Sequence, residues 1–171
     1  MNQRLTQQDN QADTQTDTQA QTQAQAMSHS HLSHALAIVQ EARSWLGTPF
    51  HHQGRCKGVG VDCAGLVIAV AKALGLSDFD TQDYTPVPDG QRLECLCHTH
   101  LQHLPLEQLA PGDVLLFRFD QQPQHLAIAA DHLQSGLSLI HAYLPARKVV
   151  EVRLDARWRQ RLVAAFRMVA R

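Results

Sequence analysis

Apolar positions recur first at helical spacing and later at every second residue. In "SHALAIVQEARSWLGTP", Leu36, Val39 and Leu46 fall roughly on one side of a helix, Ser33 stands where an N-cap is expected, and Gly47 followed by Pro49 supplies the stop. The stretch from Cys63 to Leu74 is apolar almost all round, which predicts a helix buried against a sheet, with Asp62 as N-cap and Gly75 just past its end. A third amphipathic segment, "QRLECLCHTHLQHL", sets Leu93, Leu96, Cys97, Leu101 and Leu104 at helical spacing. After the turn "APGD" the period changes: "DVLLFRF", "HLAIAAD", "SLIHAYL", "VVEVRL" and "VAAFRMV" read as short strands, with a helical turn "DARWRQRL" before the last. Helices first and strands afterwards predict an α+β domain, its N-terminal helices packed on a C-terminal antiparallel sheet of about five strands.

Residues 1–27 stand outside this pattern. The first 26 hold nine Gln and five Thr and almost nothing large and apolar. Such a segment cannot bury enough surface to offset the entropy of ordering, so residues 1–27 are expected to be a disordered Gln/Thr-rich tail and 28–171 the folded domain. Met27 at the boundary is a candidate for an alternative translation start. The opening "MNQRLTQQDN" has no signal-peptide character, and the longest apolar run, Ala64 to Ala71, is far shorter than the ~20 residues of a membrane span. The expectation is synthesis in the cytoplasm with neither signal peptide nor membrane span.

A formal net charge of -1 gives no electrostatic footprint for nucleic acid, and no basic stripe is interleaved with aromatics. The arginines near the C-terminus, Arg153 to Arg171, read as a solvated face. Four cysteines, Cys56, Cys63, Cys95 and Cys97, in a cytoplasmic chain of this size are expected to be free thiols.

One of them stands at a special place. If Asp62 caps the second helix, Cys63 occupies its first turn, where unpaired N–H groups and the positive end of the macrodipole favour a thiolate with a depressed pKa. Gly54, Gly58 and Gly60 in the preceding loop "FHHQGRCKGVG" let the backbone turn sharply and a ligand approach. The small residues Ala64 and Gly65 leave room beside the sulfur for a substrate carbonyl, and the first-turn N–H groups can act as an oxyanion hole. A second reading keeps Cys63 as a small buried apolar side chain.

A thiol nucleophile needs a base and a group that orients it. His125 opens the strand "HLAIAAD" and His141 lies within "SLIHAYL". If the two strands pair as a hairpin, His125 shares a face with Ala127 and Ala129, and His141 with Leu139 and Tyr143, so that both imidazoles could point toward the helix of Cys63. Hydrogen-bonded structural histidines are the other reading. The run "CLCHTHLQH" tempts a zinc assignment, but Cys95 and Cys97, two apart on a helix, point in different directions and cannot chelate one ion as a CxxC turn does. No metal and no cofactor is expected.

The stretches "LGTPFHHQGR", "GVGVDCAGLV", "LAPGDVLLF", "HLAIAA" and "LIHAY", in that order, resemble the NlpC family of cell-wall peptidases, and most of all its branch in prophage tails and gene-transfer agents. The likeness spans about residues 33–169. It implies a papain-like α+β fold and a cysteine endopeptidase that hydrolyses peptidoglycan stem peptides, typically between D-glutamate and a diamino acid. Cys63 would be the nucleophile, His125 the general base and later the acid, and His141 the residue that orients His125. The partners implied are peptidoglycan peptides and phage-tail or gene-transfer-agent proteins, the chain being carried in a phage-like particle to the cell wall. Where relatives often carry a tyrosine, this chain has Phe50 followed by His51 and His52, the candidates to supply a polar group there; where many have serine, it has Ala64. Asp62 is a candidate to bind a substrate amine as well as to cap the helix. Other readings are an inactive tail module of the same fold, or a thiol-dependent amidase or acyltransferase.

Overall fold

The computed structural model describes residues 32–85, 91–132 and 134–169, and the expected disordered tail lies outside them. The chain divides into Met1–His34, of which the described residues 32–34 are helical, and Ala35–Arg171, the unit that carries everything below.

Helix α1 covers residues 32–43, so Ser33 lies inside it and not at its cap. Its buried stripe is Ile38, Val39 and Ala42, continued by Trp45, while Leu36 and Leu46 are exposed. Positions 38, 42 and 45 follow the helical i, i+4, i+7 rule better than 36, 39 and 46, and the largest ring takes the core. A loop hairpin follows: β1 (Arg55–Cys56) pairs antiparallel with β2 (Gly60–Val61). Helix α2 (Cys63–Ala73) is capped by Asp62, and Gly75 follows it at φ +65. Helix α3 (Arg92–His100) ends earlier than its apolar spacing suggests. Leu101 turns extended and Gln102–Leu104 becomes a strand, β3. The reason is burial: Leu101 packs with the core beneath the helices, whereas Leu104 belongs to the core on the opposite face, which a continued helix could not reach.

The remaining strands are β4 (Val114–Arg118), β5 (Pro123–Asp131), β6 (Leu137–Tyr143), β7 (Lys148–Arg153) and β8 (Leu162–Arg167), with the short helix α4 (Ala156–Arg159) between the last two. They form one antiparallel sheet in the order β3-β8-β4-β5-β6-β7, six strands where the period-two pattern reads five. Alternation splits the core. Leu116, Leu126, Ile128, Ile140 and Ala142 face α2 and its buried Leu66, Val67 and Val70. Leu115, Phe117, Ala127, Ala129 and Leu139 face the other way, toward Leu154 and Trp158.

One departure from regularity decides where chemistry can occur. The β5–β6 ladder runs from Asp131↔Leu137 to Ile128↔Ile140 and stops there. Residues 123–127 stay paired with β4, and 141–143 with β7, so the two strands fork.

Candidate active site

The site is built where the fork meets the start of α2. Cys63 is the first residue of that helix and is half-buried. It shares a cleft of about 370 Å³ with His125, His52, Asp62, Ala64 and Tyr84, among others. The far wall is apolar, formed by Phe119, Tyr143 and the exposed Leu144.

The cap beneath the cysteine is more heavily bonded than a cap requires. Asp62 is buried, and its Oδ1 accepts from Gly65 N at 2.7 Å. Its Oδ2 accepts from Gln53 N at 2.6 Å, and the Tyr84 hydroxyl donates to the carboxylate at 2.9 Å. His52 Nδ1 stands 3.3 Å away, and Arg55 Nη1 at 3.7 Å. Arg55 in turn donates to the Tyr84 oxygen at 3.0 Å and pairs with Asp80. A buried carboxylate is tolerated when its lone pairs are satisfied, and these are. Asp62 therefore locks the loop, the helix and the Tyr84 segment together, with its acceptor sites already filled. Burial, and next the Asp62 charge, hold the Tyr84 phenol well above its ordinary value, so it remains a donor.

The glycines serve this junction differently from the expectation. Of the loop's three glycines only Gly58, at φ +77, is left-handed, and Gln53, at φ +57, is the other left-handed residue of the loop. A Cβ on Gly54 would stand 2.4 Å from Gly60 O, and one on Gly60 would stand 2.6 Å from the His51 Cβ. Gly65 does not open space for a substrate: a Cβ there would meet Gly54 O at 2.3 Å and Arg55 Nη1 at 2.5 Å. Ala64 does line the cleft. His51 is exposed, its Nδ1 2.9 Å from the His52 carbonyl, and it lies outside the cleft lining that His52 joins.

Burial pushes Cys63 up to about 11, Asp62 adds to this, and the backbone N–H groups of Leu126, Ala64 and Cys63 only partly oppose it. The expected depression by the helix terminus is overturned because enclosure and the capping carboxylate outweigh the dipole. Those same N–H groups can stabilise negative charge that develops during a reaction.

His125 and His141 are both buried, with His125 Nε2 2.8 Å from His141 Nδ1. They do not share the face covered by α2. By strand parity they join Phe117, Ala127 and Leu139 on the opposite face, among Phe119, Tyr143 and Trp158. The fork gives His125 its place on the cleft, and His141 stands behind it. Burial depresses both imidazoles, His125 to about 3 with a further contribution from His141, and His141 to about 4. An imidazole and a thiol that burial both keeps from charging thus line the same cleft.

Among the described residues no group of three or more His, Cys, Asp or Glu side chains is arranged to hold a metal ion. In "CLCHTHLQH", Cys97 is buried and Cys95 exposed, on different sides of α3. The polar residues the sequence did not disclose are Tyr84 and Arg55; a tyrosine within the polar loop "SDFDTQDYTPVPDG" was the available signal.

Comparison with known proteins identifies the family and the fold. The model of the NlpC/P60 family matches residues 47–167. Among solved structures, an NLP/P60-family protein similar to a lipoprotein from Staphylococcus aureus subsp. aureus Mu50 superimposes with a TM-score of 0.57 at 19% identity, over 81% of this chain and 42% of that one. The chain thus spans less than half the length of that protein. The NlpC/p60 domain of the peptidoglycan hydrolase SagA gives 0.52 at 23% identity, over 78% of this chain and 98% of that domain. RipD from Mycobacterium tuberculosis, described as a non-catalytic NlpC/p60 domain protein adapted to peptidoglycan binding, gives 0.51 at 15%, over 80% and 98%. No curated protein matches the sequence.

Proposed function

Because the chain belongs to the NlpC/P60 family, we propose that it is a cysteine peptidase acting on peptidoglycan stem peptides, with Cys63 as nucleophile, His125 as general base and acid, and His141 as its orienting partner. One observation carries the reading: Cys63 begins a helix and shares a cleft with His125, whose Nε2 is bound to His141. His125 Nδ1 is the nitrogen left to serve the thiol. It takes the Cys63 proton as the sulfur attacks the amide carbon, and N–H groups of the first helical turn stabilise the oxyanion. The imidazolium then protonates the leaving amine, giving a thioester. Water, deprotonated by the same nitrogen, releases the carboxylate and restores the thiol.

The bond is proposed to be that between D-glutamate and the diamino acid. Phage-tail or gene-transfer-agent carriage remains a proposal from motif resemblance, as does synthesis in the cytoplasm before delivery to the wall. The described non-catalytic character of RipD favours a second reading, a peptidoglycan-binding module without turnover. Mass spectrometry of muropeptides incubated with the full chain separates them. The peptidase reading expects fragments from the wild type, and a loss of about a thousandfold or more in Cys63→Ala. Equal cleavage by both proteins, or none by a folded wild type, rejects it.

A further inference from the structure

Gln53 holds two parts of the site through two different groups. Its backbone is left-handed, at φ +57, a conformation that glycine and, among other residues, asparagine and aspartate take most readily. A glutamine kept there is held by its surroundings. Its backbone N–H donates to Asp62 Oδ2 at 2.6 Å, in the cap beneath Cys63. Its side-chain Nε2 donates to the carbonyls of Gln82, at 2.5 Å, and Tyr84, at 2.9 Å. Both amide protons are thus engaged, and two carbonyl partners leave the amide only one orientation.

Those carbonyls belong to a stretch without sheet support. Residues 77–85 form neither helix nor strand, and among the described residues the only backbone–backbone hydrogen bond of 77–84 is local, from Tyr84 N to Gln82 O at 2.9 Å. Side chains tie the stretch to the loop instead. Arg55 Nη2 donates to Thr81 O at 2.7 Å, the same guanidinium pairs with Asp80, and the Tyr84 hydroxyl donates to Asp62. Gln53 takes the two carbonyls at 82 and 84. This stretch also walls the cleft: Tyr84 and Thr85 line it together with Cys63 and Ala64. Tyr84, with Ala64 and Leu93, further borders a second, apolar cavity of about 70 Å³ lined from α2 and α3 by Val67, Leu96 and Cys97. Where Tyr84 stands therefore decides how the two spaces are divided.

We propose that Gln53 is a positioning residue whose side-chain amide clamps the Tyr84–Thr85 wall, and thereby sets how large a group the cleft admits beside Cys63. The effect on substrate rests on the peptidase reading above; the width of the cleft does not. Because the bond to Asp62 comes from the Gln53 backbone, replacing the side chain leaves the support of Cys63 in place. Substrate fit and the chemical step should therefore separate, the first being lost while the second is kept.

The test uses two variants of the full chain. Gln53→Glu keeps the shape and loses both donors; Gln53→Asn keeps an amide and suits the left-handed backbone but is one methylene shorter. Cleft width is read at Cys63 by mass spectrometry at alkaline pH, as the ratio of its alkylation rates by a bulky N-aryl iodoacetamide and by iodoacetamide. That ratio is expected to rise by about threefold to tenfold in both variants as the wall loosens. On muropeptides KM should rise by about tenfold, with kcat within about twofold of the wild type. An alkylation ratio unchanged in both variants overturns the proposal. So does an active variant whose KM stays unchanged, or whose kcat falls as steeply as KM rises. Should Gln53→Glu not fold, Gln53→Asn carries the test. A wild type that cleaves nothing would sink the peptidase reading, while the alkylation ratio still decides the clamp.

Discussion

Nε2 of His125 and Nδ1 of His141 lie 2.8 Å apart across the opening between two neighbouring strands, on the face of the sheet turned away from the helix that bears Cys63. The contact joins β5 to β6 where their backbone ladder has ended, and it leaves Nδ1 as the ring nitrogen of His125 not engaged with His141.

Burial of this pair makes stability depend on pH. The unfolded chain binds a proton at each histidine near 6.5, whereas the native imidazoles resist protonation down to about 3 and 4. The stabilising contribution is therefore complete above 6.5 and is lost as pH falls toward 4, by on the order of 3 kcal/mol for His141. Glu151, held below its ordinary 4.5 first by its hydrogen bond from Arg43, adds only at lower pH. Urea midpoints should drop between pH 6.5 and 5, with a shallower slope in His141→Gln. Equal slopes in the two proteins would contradict the assignment.

Cys63 should behave as a shielded thiol. Its rate of alkylation by iodoacetamide is expected to be low at neutral pH and to climb through and above the ordinary thiol range, because burial and Asp62 oppose the thiolate. A rate already at its plateau between pH 5 and 8 would mean a preformed thiolate–imidazolium pair instead.

Gly65→Ala places a methyl carbon against Gly54 O and the Arg55 guanidinium. Since a backbone carbonyl cannot move aside cheaply, the cost is about 3 kcal/mol. Gly58→Ala, at φ +77 with open space around it, should cost about 1 kcal/mol from backbone strain alone. Thermal denaturation of both variants orders them, and the reverse order would refute the packing argument.

Tyr84→Phe removes a donor to the Asp62 carboxylate and an acceptor for Arg55. A loss of about 2 kcal/mol is expected from the stranded polar groups. Activity should fall with it, since Asp62 anchors the turn that carries Cys63. A Tyr84→Phe protein with wild-type stability would show that the hydroxyl is replaced without penalty.

Helix α2 was legible because its signals are local: an apolar run, Asp62 before it and Gly75 after it. The longer strands were legible from their period of two. The sixth strand was not, since three residues continue the apolar spacing of α3 and only burial of Leu104 on the far face ends the helix. Parity correctly set His125 with Ala127 and His141 with Leu139, but no local pattern says which face of the sheet α2 will cover. The same limit hid Arg55 and Tyr84, whose meeting with Asp62 is produced by chain segments up to 29 residues apart. It also hid the meaning of Gly65, which serves a neighbouring backbone and not a ligand.

The fork in the sheet has a further consequence. The β5–β6 hairpin is zipped at its turn end, where Asp131 pairs with Leu137, and open at the end that holds the histidines. Beyond Ile128 each strand is secured by its outer neighbour, so the backbone framework there does not depend on a β5–β6 ladder. The backbone framework and the side chains at the open end are thus separable inheritances: a point substitution there would leave the ladders of β4 with β5 and of β6 with β7 in place.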